Sequence, residues 1–207
     1  MQDFTQKEKN LIRKLNTPAK VQDFLNGLKF NFEKNAKGKY EETLKSPLFT
    51  LRARNAHCFE GALLGAYILS LHGFTPFVLH LGATKHDYDH VIVPFKVGKF
   101  WGALSKTNHA VLRYREPVYK NIRELAMSYF HEYFLNNGRK TLRQYSNPLN
   151  LTTFKKNWMI AKDNLWYIDK KLDRVKHHNI IPKFHIKKLR KADKAEIKAG
   201  KIAEYKK

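Results

Sequence analysis

A chain of 207 residues that is 43% hydrophobic and 13% aromatic, with fourteen Phe and ten Tyr, has enough apolar material for one folded domain. That composition excludes wholesale disorder. Its formal charge of +22 makes it attractive to polyanions, but Lys170–Lys207 hold fourteen Lys/Arg against four Asp/Glu, so nearly half the excess sits in the last stretch of the chain.

No run approaches the ~20 apolar residues that span a bilayer. The longest, Ala62–Leu71, is interrupted by Gly65 and Ser70. The polar start Met1–Phe4 lacks the apolar run of a signal peptide, so the expectation is a soluble, cytoplasmic protein. A single cysteine, Cys58, excludes an intrachain disulfide and a thiolate cluster and agrees with a reducing compartment.

In chain order, residues 4–30 carry Phe4, Leu11, Ile12, Leu15, Val21, Phe24, Leu25 and Leu28 at helical spacing, split at Thr17-Pro18, where Thr17 caps and Pro18 opens the second helix. Residues 33–47 read as a loop. Cys58–Leu69 is apolar nearly all round and rich in Ala and Gly, which predicts a buried helix approached closely by its neighbours, with Asn55 as its N-cap and His72-Gly73 as its end. Pro76–Leu81, His90–Lys96 and Phe100–Leu104 read as strands, the last two joined by a turn at Val97-Gly98-Lys99. Short links between consecutive strands predict an antiparallel sheet packed on the Cys58 helix, an α+β fold with flanking helices. Residues 118–135 read as one helix, 139–169 as a satellite layer, and the lysine-rich stretch from Lys183 as a fraying helix or disordered tail. From about 190 onward the tail has only Ile197 and Ile202 as larger aliphatic residues, and it is expected to be dispensable for folding. The domain reading is 1–169, with a core at about 50–107, and a basic extension at 170–207.

Two residues stand out chemically. Cys58, in the first turn of a helix, meets the positive end of the helix dipole and unpaired backbone N–H groups, both of which favour the thiolate. His90, at the start of a strand after a polar, acidic loop, can project toward that helix end. A cysteine and a histidine within hydrogen-bond reach form the minimum apparatus for thiol nucleophilic catalysis. The bland alternatives are a small core cysteine and a strand-end histidine satisfied by Asp87 or Asp89. His86 and His90 would share a face only on a helix, and 88–92 reads as strand, so neither metal nor cofactor is expected. The basic and aromatic residues of 100–115 read as a core strand with a solvated edge rather than a nucleic-acid surface.

The order and spacing of His57–Ala62, Leu71–Pro76, Asp89–Val93 and Lys99–Leu104 resemble the transglutaminase-like branch of the papain-fold superfamily. The stretch Arg113–Tyr119 resembles a group of bacterial proteins that carry the same core. The resemblance implies that Cys58 attacks an amide or ester carbonyl, that His90 shuttles the proton, and that a third residue orients His90. Where the family has Asp, this chain reads Leu104-Ser105-Lys106-Thr107-Asn108; Ser105 matches by position and Asn108 by chemistry. The implied function is cysteine-dependent acyl transfer or amide hydrolysis on a peptide, a protein or a small amide or ester. The alternative is a non-catalytic binding module with a degenerate core. The basic tail is expected to attract a polyanion.

Overall fold

In a computed structural model, residues 3–35, 37–154 and 157–206 are described. The chain begins with α1 (Gln6–Lys14) and α2 (Pro18–Asn26). Thr5 and Glu8 close a reciprocal capping box on α1, and Thr17 caps α2 with Pro18 in its first turn. Strand β1 (Lys29–Phe30), helix α3 (Pro47–Ala53) and strand β2 (Asn55–Ala56) lead into helix α4 (Cys58–Ser70). Next come β3 (Phe77–Gly82), β4 (His90–Val97), β5 (Phe100–Leu104), β6 (Arg115–Tyr119) and α5 (Ile122–Met127). The chain closes with β7 (Gln144–Ser146), β8 (Leu149–Asn150), α6 (Trp166–Arg174), β9 (His177–Asn179) and α7 (Lys194–Gly200).

Strands β3 to β9 form one seven-stranded sheet in the order β6-β5-β4-β3-β7-β9, with β8 also on β3, and every pairing is antiparallel. This is the α+β layout that the short strand links predict. Gly98, at φ +58, makes the β4–β5 turn. Pro94 is tolerated in a central strand because the β3–β4 ladder ends at Ile92, short of the residue that lacks an N–H.

Helix α4 lies against the sheet with every residue from Phe59 to Leu69 buried. Burying one Leu or Ile side chain contributes about 1.5–3 kcal/mol, so a helix that is apolar on nearly every side is stable only in such a place. Gly61 and Gly65 set its depth. A Cβ at Gly61 would sit 2.5 Å from Lys106 Cβ, and one at Gly65 would sit 3.0 Å from Leu104 Cδ1. Val78, Val91, Val93, Phe95 and Leu104 share the α4 core, whereas Leu79, Leu81, Ile92 and Ala103 join Leu125, Tyr129 and Tyr133 in a second cluster. Alternation along the strands thus serves two cores.

Four expectations need correction. The cap of α4 is His57; Asn55 lies in β2, which pairs with β1. Residues 118–135 are not one helix: β6 occupies 115–119, Asn121 caps the short α5, and a 3-10 turn at Phe130–Glu132 follows. Strands β7 and β8 join the main sheet where 139–169 was expected to form a satellite layer. The tail is not frayed either. Helix α6 runs through position 170, β9 joins the sheet, and α7 has a complete capping box at Asp193 and Glu196. Beyond α7 the chain bonds back to the loop after β5 through Ala110 N to Ile202 O, 2.9 Å, and Glu204 N to Asn108 O, 2.8 Å. Lys183, Lys187 and Lys188 stay exposed. Among the described residues no helix is long and apolar enough to cross a membrane.

Candidate active site

Cys58 is the first residue of α4, and its side chain is only partly exposed. The chain enters the helix extended at His57, whose Nδ1 accepts the Phe59 amide hydrogen at 3.2 Å. His57 Nε2 lies 2.8 Å from Thr43 O and so carries a proton toward it. Three residues on, the fully buried Glu60 returns to the cap: its carboxylate accepts from His57 N at 3.2 Å, Asn31 Nδ2 at 2.9 Å, Thr43 Oγ1 at 2.7 Å and Lys45 N at 3.1 Å. Lys45 Nζ completes the set at 2.8 Å. A Glu three residues after a cap is a readable capping signal; histidine in the capping place is what hid it.

His90 opens β4, is buried, and lies near enough to Cys58 to act on its thiol electrostatically. Its Nε2 stands 2.7 Å from Ser105 Oγ. Nδ1 is therefore the ring nitrogen left for the thiol. The Ser105 hydroxyl has one proton, and that proton points to Leu112 O at 2.5 Å. Ser105 can then only accept from His90, so Nε2 carries a ring proton and, in the neutral imidazole, Nδ1 keeps a lone pair toward Cys58. Gln22, buried on α2, fixes Ser105 by accepting from its N–H at 2.9 Å and donating to its carbonyl at 2.8 Å. Gln22 carries no sequence signal for this role beyond helical position.

Of the two residues weighed as orienter, the structure brings Ser105 to the imidazole and engages Asn108 elsewhere. Both ends of the Asn108 amide bond the Tyr205 backbone, Nδ2 to the carbonyl and Oδ1 from the N–H, each at 2.9 Å. Asn108 anchors the tail.

Burial pushes the Cys58 thiol up, but hydrogen bonds and charge from His57 and His90 more than reverse this and hold it well below the usual thiol range. Burial also opposes charge on His57; its hydrogen bond to Cys58 and the Glu60 carboxylate prevail and raise it to about 9. A second proton on His57 turns Nδ1 into a donor, so that charge competes with the Phe59 cap bond. Burial pushes Glu60 up, and the charges of His57 and Lys45 bring it below the usual carboxylate range.

The loop between β3 and β4 is pinned by hydrogen bonds from Tyr133 and Thr141. Tyr133 donates its hydroxyl proton to Tyr88 O, and Thr141 Oγ1 bonds Asp87 Oδ2. Burial, with the charges of Asp87 and Cys58 adding, keeps Tyr133 protonated. Asp89 bonds Ala83 N at 2.7 Å and His80 at 3.0 Å, so neither it nor Asp87 satisfies His90. His86 is exposed, and among the described residues no group of three or more His, Cys, Asp or Glu is arranged to hold a metal ion. In the stretch 100–115, Trp101 lies half-buried under Lys96, 5.5 Å from its ring centre, as in a strand with a solvated edge.

Fold and site together define an α+β protein whose buried helix begins at Cys58, with His90 on the adjoining strand held by the Ser105 hydroxyl. No family model matches the chain, and no curated protein matches it. Among solved structures it is similar to Legionella pneumophila LapG, at 18% identity over 51% of this chain and 67% of that one, with a TM-score of 0.36. It is also similar to EGTA-treated LapG of Legionella pneumophila, at 16% identity over 84% of this chain and 93% of that one, with a TM-score of 0.41. At these values the likeness assigns no role to any residue here.

Proposed function

We propose that this protein performs cysteine-dependent acyl transfer or amide hydrolysis, with Cys58 as nucleophile, His90 as proton carrier and Ser105 as the residue that orients His90. One observation carries the reading: a buried histidine that acts electrostatically on the thiol at the head of α4 has its Nε2 held by a hydroxyl that can only accept. That arrangement leaves a lone pair on the nitrogen facing the thiol.

His90 Nδ1 takes the thiol proton, and the thiolate attacks an amide or ester carbonyl. The Cys58 amide, in the first turn and without an intrahelical acceptor, is placed to donate to the developing oxyanion. His90 then returns the proton to the departing amine or alcohol, and a thioester remains on Cys58. Water or a second amine, deprotonated by the same imidazole, resolves it; water gives hydrolysis, and an amine gives transfer. Ser105 brings no negative charge to the imidazolium, so the stabilisation it offers is weaker than that of a carboxylate.

The test is iodoacetamide alkylation of Cys58 across pH, together with labelling by a thiol-reactive amide or ester probe, with Cys58→Ala as control. The expected midpoint lies below the ordinary thiol value of about 8.5. His90→Ala should raise it and abolish probe labelling. A native midpoint at or above the ordinary value, with no probe labelling, would refute the catalytic reading and favour a binding module built on this core.

A further inference from the structure

The contact that fixes Ser105 ends on a carbonyl held in an uncommon conformation. Leu112 has φ +61, where the Cβ of an L-residue crowds its own carbonyl. Non-glycine residues persist there only when their surroundings over-determine them. Both backbone groups of Leu112 are engaged. Its carbonyl accepts the Ser105 hydroxyl at 2.5 Å, and its N–H donates to Glu132 Oε2 at 2.7 Å. The other Glu132 oxygen is 2.7 Å from Arg115 Nη2. Arg115 is itself anchored: its Nε bonds Ser128 Oγ at 3.0 Å, its Nη1 bonds Arg113 O at 3.2 Å, and its guanidinium lies 4.2 Å over the Tyr129 ring.

We infer that Glu132 is a positioning residue for the site: by holding the Leu112 N–H it presents the Leu112 carbonyl to Ser105, which keeps the proton on His90 Nε2 and the lone pair toward Cys58. The inference rests on reading Cys58 and His90 as a working pair. Glu132 touches neither residue. It acts through the backbone of Leu112, and Arg115 aims its carboxylate.

The experiment uses the full chain labelled with 15N-histidine. In the native protein the His90 Nε2–H should give a downfield NMR signal that exchanges slowly with water. Ser105→Ala removes its acceptor and should abolish the signal. Glu132→Ala should abolish it too, and should move the Cys58 alkylation midpoint up by roughly one pH unit, a tenfold loss of thiolate at fixed pH. Glu132→Gln keeps an oxygen for the Leu112 N–H and should retain the signal. If Glu132→Ala does not fold, Glu132→Asp, one methylene shorter, replaces it with the same expected loss. A merely structural Glu132 would lower the melting temperature and leave the signal as in the native chain; that result overturns the inference, as does a native protein without the signal. An ordinary native alkylation midpoint alongside the expected NMR pattern would overturn the thiol reading and still support the positioning role.

Discussion

The buried carboxylate of Glu60 offers the sharpest test of how this chain holds its thiol. Each of its oxygens accepts from two neutral donors, Oε2 from Asn31 and His57 N, Oε1 from Thr43 and Lys45 N, and Oε1 also meets the Lys45 ammonium. Replacement by Gln turns one acceptor into an NH2 group facing donors, whichever way the amide is placed. Replacement by Ala leaves all of them unpaired. Removing one partner of a buried ion pair costs about 3–5 kcal/mol. Lys45 is 20% exposed and can turn to solvent, so the lower end is expected, about 3 kcal/mol for Glu60→Ala and somewhat less for Glu60→Gln. For a chain of this size that is a fall in melting temperature of roughly 6–12 °C. The pH dependence has a definite sign. The folded carboxylate titrates below its unfolded value of about 4.3. Its contribution is therefore complete above that value and lost as pH falls through the folded pKa. Urea melts between pH 7 and pH 3 should show the native and Glu60→Gln proteins converging as acid is added. A Glu60→Gln protein within about 0.5 kcal/mol of native at pH 7, the range of an ordinary surface change, would refute the account of the α4 terminus.

Further consequences are open to measurement. Truncation after Leu189 should lower stability by a few kcal/mol at about 1 kcal/mol net per hydrogen bond, because it removes the Ala192–Gly138, Ile202–Ala110, Glu204–Asn108 and Tyr205–Asn108 contacts; an unchanged thermal melt would show that the docked tail adds nothing. Gly61→Ala should destabilise by about 1–3 kcal/mol through overpacking, since its Cβ would fall 2.5 Å from Lys106 Cβ; a neutral result in a denaturant melt would mean that α4 shifts freely. His57→Ala should cost about 1 kcal/mol as a lost cap and raise the Cys58 alkylation midpoint, because His57 is one of the two rings that lower it. An unmoved midpoint would assign the low pKa to His90 alone.

The sequence by itself determined what short-range pattern can carry. An apolar, glycine-bearing stretch after Cys58 has no stable place except between other elements, and α4 occupies such a place with Gly61 and Gly65 at its closest approaches. Strand β4 follows from a β-branched run, β3 and β5 from short apolar and aromatic runs beside a glycine turn, and the cap of α2 from Thr17-Pro18. Periodicity also placed Cys58 at a helix start and His90 at a strand start, which was enough to suspect the pair. Tertiary structure decided the rest. Ser105 and Asn108 lie three positions apart in one loop, and nothing local chooses between them. Ser105 is selected because Leu112 and Gln22 fix its hydroxyl and backbone, while Asn108 is claimed by Tyr205 from 97 residues away. The tail looked too poor in aliphatic side chains to repay its ordering. It docks chiefly through backbone hydrogen bonds and ion pairs, whose partners lie far off in the chain and leave no periodic trace in its composition.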